Sequence, residues 1–254
     1  MNLPHSLERT LVIRAPRAIV FRFFTDSARF ARWWGEGSSI HAEVGGEVRI
    51  RYPNGIVACG TVTAIEADRS IAFTYGYEST QPELPVGSSL VTITLDEHRD
   101  GTRLQLRHDL PGEKMRDAHV PGWRFQLSLF ANVVADEAMA AAAATCDRWF
   151  AAWAEADAAR RAELLASCAS DDVTMQDRWA CLAGRDELSA HIAGTHHHMP
   201  GVVMKRDGDV RHCQGTALVA WQATGADGKP LGRGVNVVRF AADGRIAAVV
   251  GLPR

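Results

Sequence analysis

The stretch from Pro121 to Glu155, PGWRFQLSLFANVVADEAMAAAAATCDRWFAAWAE, constrains this chain more than any other, because two helical patterns follow one another there. Trp123, Leu127, Phe130 and Val134 lie four, three and four residues apart and form one apolar stripe. Trp149, Phe150 and Trp153 begin a second stripe. Between them runs Ala140 to Ala144, preceded by Asp136 and Glu137, with high helix propensity and no large side chain to pack. Neither Gly nor Pro interrupts it, so a short, stiff, partly helical connector is expected rather than a flexible linker. The chain therefore divides into a domain over 1–137, a connector over 138–144 and a second domain over 145–254. A length of 254 residues and an apolar fraction of 46% leave room for two cores.

Charge excludes one class of partner. There are 28 basic and 30 acidic residues, and neither half holds the basic surplus that sequence-independent phosphate binding requires, so nucleic acid is not an expected partner. Five cysteines, an odd number with no CxxC pair, read as reduced thiols, mostly small buried residues. The segment MNLPHSLERT lacks an apolar signal core, and no run reaches about 18 apolar residues. A cytoplasmic protein without membrane contact is the expectation.

In the first half a strand containing LVIR precedes a helix with Ile19, Val20, Phe23 and Phe24 on one face. A second short helix carries Phe30, Trp33 and Trp34. Five period-2 segments follow, Val44–Tyr52, Val57–Ile65, Ile71–Tyr77, Leu90–Leu95 and Thr102–His108, most of them separated by turn signals. Alternation puts Ile71, Phe73, Tyr75 and Tyr77 on one face, and Thr102, Leu104, Leu106 and His108 on another, with the Trp123–Leu127–Phe130 helix as the natural cover. Large aromatics usually serve burial, which makes Trp33 and Trp34 core before they are a binding platform. His108, in phase with leucines, reads as a hydrogen-bonded pocket wall before a general base.

The segments RAPRAIVFRFFTDSARFARWWG, GTVTAIEADRSIAFTYGY, SLVTITLDEHRDGTRLQLRHDLP and HVPGWRFQLSLFANVV resemble the SRPBCC superfamily, in the branch named for activators of the heat-shock protein 90 ATPase. The resemblance implies a helix-grip fold, an antiparallel sheet wrapped around a long C-terminal helix with a pocket between them. Trp34, Phe73, Tyr75, His108, Trp123 and Leu127 are the candidate ligand-binding residues of that pocket.

The second half opens with one or two helices over Thr145–Ala166, then the strand VTMQDRWA. Alternation places Val173, Met175, Asp177 and Trp179 together, so an aspartate falls in phase with an apolar face, where a carboxylate is costly unless paired or functional. A helix over Glu187–Thr195 and further strands over Val202–Arg206, Val210–Gln214, Ala217–Thr224, Gly232–Phe240 and Ile246–Gly251 complete the order, with Asn236 in phase with Val238 and Phe240. RWFAAWAEADAARRAELLASCASDDVTMQD, LAGRDELSAHI and GRGVNVVRFAADGRIAAVVG resemble the nuclear transport factor 2-like superfamily, near the SnoaL-like polyketide cyclases and ketosteroid isomerases. This implies a cone-shaped α+β barrel with a pocket at its open end, and an α+β class for the whole chain. Asp177 stands where many members carry an acidic residue. Asn236 stands in GVN where many have GVD, and an amide can hydrogen-bond but cannot titrate.

His196, His197 and His198 are successive on a helix, about 100° apart, and cannot all converge on one ion. No HExxH motif or cysteine partner accompanies them, so no metal and no cofactor are expected. Three functional readings follow. The chain binds a small hydrophobic molecule in one or both pockets, with Trp149, Trp153, Trp179 and Trp221 lining the second. Alternatively the cone is a cyclase- or isomerase-type enzyme with Asp177 as base and His197 or Asn236 orienting a carbonyl or enolate oxygen. The third reading is a chaperone-associated interaction protein, implied by the family name of the first half. The cone resemblance also implies a homodimer.

Overall fold

The computed structural model describes residues 2–79 and 83–253. The chain forms two compact units, Met1–Ala135 and Asp136–Arg254, and the boundary falls in the last turn of a long helix.

In the first unit, β1 (His5–Ile13) leads into α1 (Arg17–Arg22) and α2 (Ser27–Trp34), where Asp26 caps α2 by accepting from the Arg29 backbone N–H at 2.9 Å. The strands β2 (Ser39–Ile40), β3 (Glu47–Arg51), β4 (Val57–Glu66), β5 (Ser70–Tyr77), β6 (Ser89–His98) and β7 (Gly101–Leu110) then form a meander, and α3 (Glu113–Ala138) closes the unit. The sheet order is β1-β7-β6-β5-β4-β3-β2, antiparallel throughout. The expected β3 start at Val44 is corrected to Glu47. Val44 is 67% exposed, because the chain turns at Gly45, with φ of 89°, and at Gly46, where a Cβ would lie 2.0 Å from the His41 carbonyl oxygen.

Alternation along β7 buries Thr102, Leu104, Leu106, His108 and Leu110. The buried face of α3 supplies Trp123, Gln126, Leu127, Phe130, Ala131 and Val134 against them. Phe130 is the hub, with ring centroids 4.7 Å from Phe24, 4.9 Å from Trp33 and 6.0 Å from Phe23. Gln126 ties α3 to α2 by donating from Nε2 to the Trp33 carbonyl. Each fully buried ring here contributes on the order of 3 kcal/mol from area alone, which is why the grip is aromatic.

The second unit comprises α4 (Ala142–Ala154), α5 (Ala158–Cys168), β8 (Ala169–Gln176), β9 (Cys181–Ala183), α6 (Gly184–His198), β10 (Val203–Arg206), β11 (Arg211–Cys213), β12 (Thr216–Thr224), β13 (Pro230–Phe240) and β14 (Ile246–Pro253). The sheet runs β10-β12-β13-β14-β8-β9, with β11 also on β12. Its β14–β8 pairing is parallel and the rest are antiparallel. Trp149, Phe150, Leu165, Val173, Leu188, Ile192, Val219, Val238 and Phe240 make a core between the helices and the inner sheet face. The α+β class holds in both units: a helix-grip architecture first, a cone-like one second.

The expectation of mostly buried cysteines is corrected: Cys146 and Cys168 are buried, Cys59 is intermediate, and Cys181 and Cys213 are exposed. Burial pushes the Cys146 thiol up to about 12, so it serves as a small core residue. No single helix among the described residues is long and apolar enough to cross a membrane.

Candidate functional site

All three tyrosines of the chain meet in the first unit. The β5 pleat sends Tyr75 and Tyr77 to the face covered by α3, and Tyr52 reaches them from the end of β3. The Tyr52 and Tyr75 hydroxyls lie 2.7 Å apart, and the Tyr77 hydroxyl lies 3.1 Å from His119 Nε2. His119 Nδ1 is 2.8 Å from the Met115 carbonyl, which can only accept, so Nδ1 carries the proton and Nε2 accepts from Tyr77. His108 is fixed in the same way. Trp123 Nε1, a donor only, meets His108 Nδ1 at 3.0 Å, leaving Nε2–H to donate to Ser89 Oγ at 2.9 Å. Ser89 Oγ in turn donates to the Tyr75 carbonyl at 2.8 Å.

This directional network holds every member neutral. Burial, reinforced by the neighbouring His119, lowers the His108 pKa to about 3, and burial also lowers that of His119 against the opposing bond to Met115. Burial raises Tyr75 well above the usual phenol range, with the adjacent Tyr52 and Tyr77 adding to it, and raises Tyr52 and Tyr77 as well. One polar atom at the edge of the cluster is left over. Trp34 is 3% exposed, its ring stands edge-on to Tyr52 and to Trp123 at 5.6 Å each, and its Nε1 is buried without a partner. Beside Tyr52 opens a cavity of about 370 Å³, lined by Gly35, Glu36, Arg51, Tyr52 and Pro53 among others.

In the second unit β8 ends at Gln176, and Asp177 begins a tight turn into β9. Its Oδ1 accepts from the backbone N–H groups of Trp179 at 2.7 Å and Ala180 at 2.8 Å. Oδ2 remains. The Asp177 carboxylate and the Asn236 amide both lie beside the backbone of Gly251, where a Cβ would lie 3.1 Å from Asp177 Cβ, 3.8 Å from Asp177 Oδ2 and 3.5 Å from Asn236 Oδ1. Trp221 Nε1 donates to Asn236 Oδ1 at 3.1 Å, which sets the amide orientation and takes up the oxygen rather than the NH₂ group. A groove of about 380 Å³ runs along Asp177, Arg178, Val250, Gly251 and Leu252.

Two comparisons match this division. Residues 14–135 match the model described as activator of Hsp90 ATPase homolog 1-like protein, and residues 146–249 match the SnoaL-like domain model. The chain is an Aha1-like domain followed by a SnoaL-like domain. Similar solved structures each overlap about half of it. A SnoaL-like family protein from Agrobacterium tumefaciens is 24% identical over 46% of this chain and 99% of its own, with a TM-score of 0.44. CalU16 from Micromonospora echinospora is 26% identical over 53% and 79%, with a TM-score of 0.42. The Aha1 dimer from Colwellia psychrerythraea is 18% identical over 49% and 92%, with a TM-score of 0.41. No curated protein matches the chain.

In the Aha1-like domain the structure brings Tyr75, His108 and Trp123 into one network, while Phe73 and Leu127 are buried apolar residues at 1% and 4% exposure. Sequence reasoning passed over Tyr52, Ser89 and His119. The signal for His119 was its position four residues before Trp123, on the same helix face. In the SnoaL-like domain Asp177, Asn236 and Trp221 converge. Trp179 is corrected: it is 67% exposed, because alternation stops with the strand at Gln176. His197 is exposed on α6, with the His198 ring 5.1 Å away, whereas His196 keeps a buried Nε2 without a partner. Trp149 is core, and Trp153 stands edge-on to His191 at 5.8 Å. Among the described residues no three His, Cys, Asp or Glu side chains gather as a metal site. A cavity of about 640 Å³ between α4 and β10, with the Arg206–Asp147 ion pair at 2.7 Å in its lining, includes none of the candidate catalytic or ligand-binding residues.

Proposed function

We propose that the chain binds a small, largely apolar molecule in the Aha1-like domain. The observation that carries this is the convergence of all three tyrosines with Ser89, His108, His119 and Trp123 inside an otherwise apolar grip. Polar groups are costly to bury, and a network of seven side chains is more than packing β5 to α3 needs. It is the arrangement of a binding site, apolar walls with a few placed polar groups. The test is titration of the full chain with the apolar dye N-phenyl-1-naphthylamine. Enhanced, saturable dye fluorescence is expected; absence of saturable binding would refute the reading.

A second reading, proton-transfer catalysis in the SnoaL-like domain, is favoured by the approach of Asp177 and Asn236 over Gly251. Asp177 Oδ2 would abstract a proton next to a carbonyl and Asn236 would hold the resulting enolate oxygen. Asp177→Asn should abolish turnover of a cyclisable or isomerisable ketone and leave the fold intact; retained turnover sinks this mechanism. A homodimer is favoured by the outer face of the same sheet, where Leu218, Val237 and Val250 stand side by side in register and Leu231 and Leu252 are 57% and 53% exposed.

A further inference from the structure

Three members of the tyrosine–histidine network are shut away from solvent, His108, Tyr75 and Trp123 being 0%, 2% and 4% exposed. A ligand reaches them only if an element moves, and the sequence marks one. Residues 113–120, the first two turns of α3, are bracketed by two copies of one dipeptide, Pro111-Gly112 and Pro121-Gly122. Proline and glycine are the two poorest helix formers, and Pro121 lies inside the helix, where it removes the hydrogen bond to the Asp117 carbonyl. Packing does not ask for the glycine beside it: Gly122 has no left-handed φ, and a Cβ there would meet nothing within 4 Å. A local rule broken without a packing gain is what a hinge needs.

The bracketed segment is lightly held. Every buried residue of α3 lies at Trp123 or beyond, and within 113–120 Met115, Arg116, His119 and Val120 are half-buried while the others are exposed. Arg116 pairs inside the segment, with Glu113 at 2.9 Å and Asp117 at 2.8 Å. Across to the sheet runs the bond from the Tyr77 hydroxyl to His119 Nε2 at 3.1 Å, and the same imidazole stacks on Tyr77 and stands edge-on to His108 at 5.1 Å. Tyr77 is itself half-buried, so this bond sits at the rim of the network. A helix of two turns does not persist alone in water, and undocking therefore melts it.

We propose that residues 113–120 form a lid over the network, hinged at Pro111-Gly112 and Pro121-Gly122 and latched by His119 on Tyr77, whose local unfolding admits the ligand. This rests on the reading that the network is a binding site, and it adds the route in. The lid is closed both before and after entry, so its opening sets the rates of binding and release and leaves the affinity unchanged.

Hydrogen exchange of the full chain, followed by mass spectrometry, measures the opening without any ligand. Residues 113–120 should exchange well ahead of 123–135. Tyr77→Phe removes the latch bond and should speed exchange in the segment about fivefold. Pro121→Ala combined with Gly122→Ala, both at exposed positions, restores the missing helix bond and should slow it at least about tenfold with the fold intact. Stopped-flow mixing of N-phenyl-1-naphthylamine with this double variant should then show association and dissociation slowed in proportion, at an unchanged Kd. Equal exchange on the two sides of Pro121, or exchange indifferent to the double variant, would overturn the lid whatever the dye does. Exchange as expected with unaltered dye rates would overturn it as the route in. Absence of saturable dye binding would overturn the binding site and the entry route together, and the exchange data, taken without dye, tell that failure from the others.

Discussion

Acidification should unlock the Aha1-like domain through His108, and the size of the effect follows from its surroundings. His108 is fully buried, and its pKa is lowered to about 3 from an ordinary value of 6.5 by burial and by the neighbouring His119. Protonating Nδ1 would also turn the acceptor of the 3.0 Å Trp123 bond into a second donor facing the first. The folded state thus favours the neutral ring. Its contribution is fully present above pH 6.5 and is lost as pH falls towards 3, because the unfolded chain takes the proton first. Between pH 7 and pH 5 the loss is about 2 kcal/mol, at 1.36 kcal/mol per unit of pKa difference traversed. Other titrating groups act over the same range, so the measurement is a double difference. His108→Gln keeps an acceptor for Trp123 and a donor for Ser89 without titrating. Urea unfolding of both full-length chains at pH 7 and pH 5 should show wild type losing about 2 kcal/mol more than the variant. A His108 ring resonance that does not titrate between pH 8 and 5 should accompany this. Parallel pH profiles would refute the reasoning.

Two further expectations concern packing and assembly. Phe130→Ala removes the ring shared by Phe23, Phe24 and Trp33 and should cost about 3–5 kcal/mol, read as a large drop in the thermal midpoint of the first unfolding transition; a small drop would mean the aromatic hub can collapse onto the gap. If the outer face of the SnoaL-like sheet pairs two copies, Val250→Glu should halve the mass seen by light scattering while leaving the circular dichroism spectrum unchanged, and an unaltered mass would exclude that face.

Much of the first domain was legible because burial there follows chain periodicity. Alternation along β5 and β7 and the spacing of Trp123, Leu127, Phe130 and Val134 state which face is inside, and the register of β6 with β7 makes those faces coincide. The network itself was less legible. Tyr52 belongs to β3's far end and Ser89 to the first residue of β6, so their meeting with Tyr75 depends on sheet order, which local patterns do not encode. Trp34 was readable as core from its helix face. That its nitrogen would be stranded was not, since satisfaction depends on what lies 10 to 90 residues away, as the Trp33 indole shows by reaching Phe23.

Asp177 shows where pattern reading fails and how to test it fairly. Alternation predicted an inward Asp177 and an inward Trp179, but a carboxylate two residues before a free backbone N–H also favours closing an Asx turn. The turn won: Oδ1 took the Trp179 and Ala180 amides, the strand ended, and Trp179 swung outward. The two oxygens therefore differ: Oδ1 closes the turn, and Oδ2, beside Gly251, is the one the proposed base would use. Alanine at 177 would remove both, and a dead variant would not distinguish a lost base from a misplaced loop. Asparagine keeps an oxygen for the two amides and discards only the charge, so a turnover difference between Asp177→Asn and Asp177→Ala measures the turn, and the loss in Asp177→Asn alone measures the base.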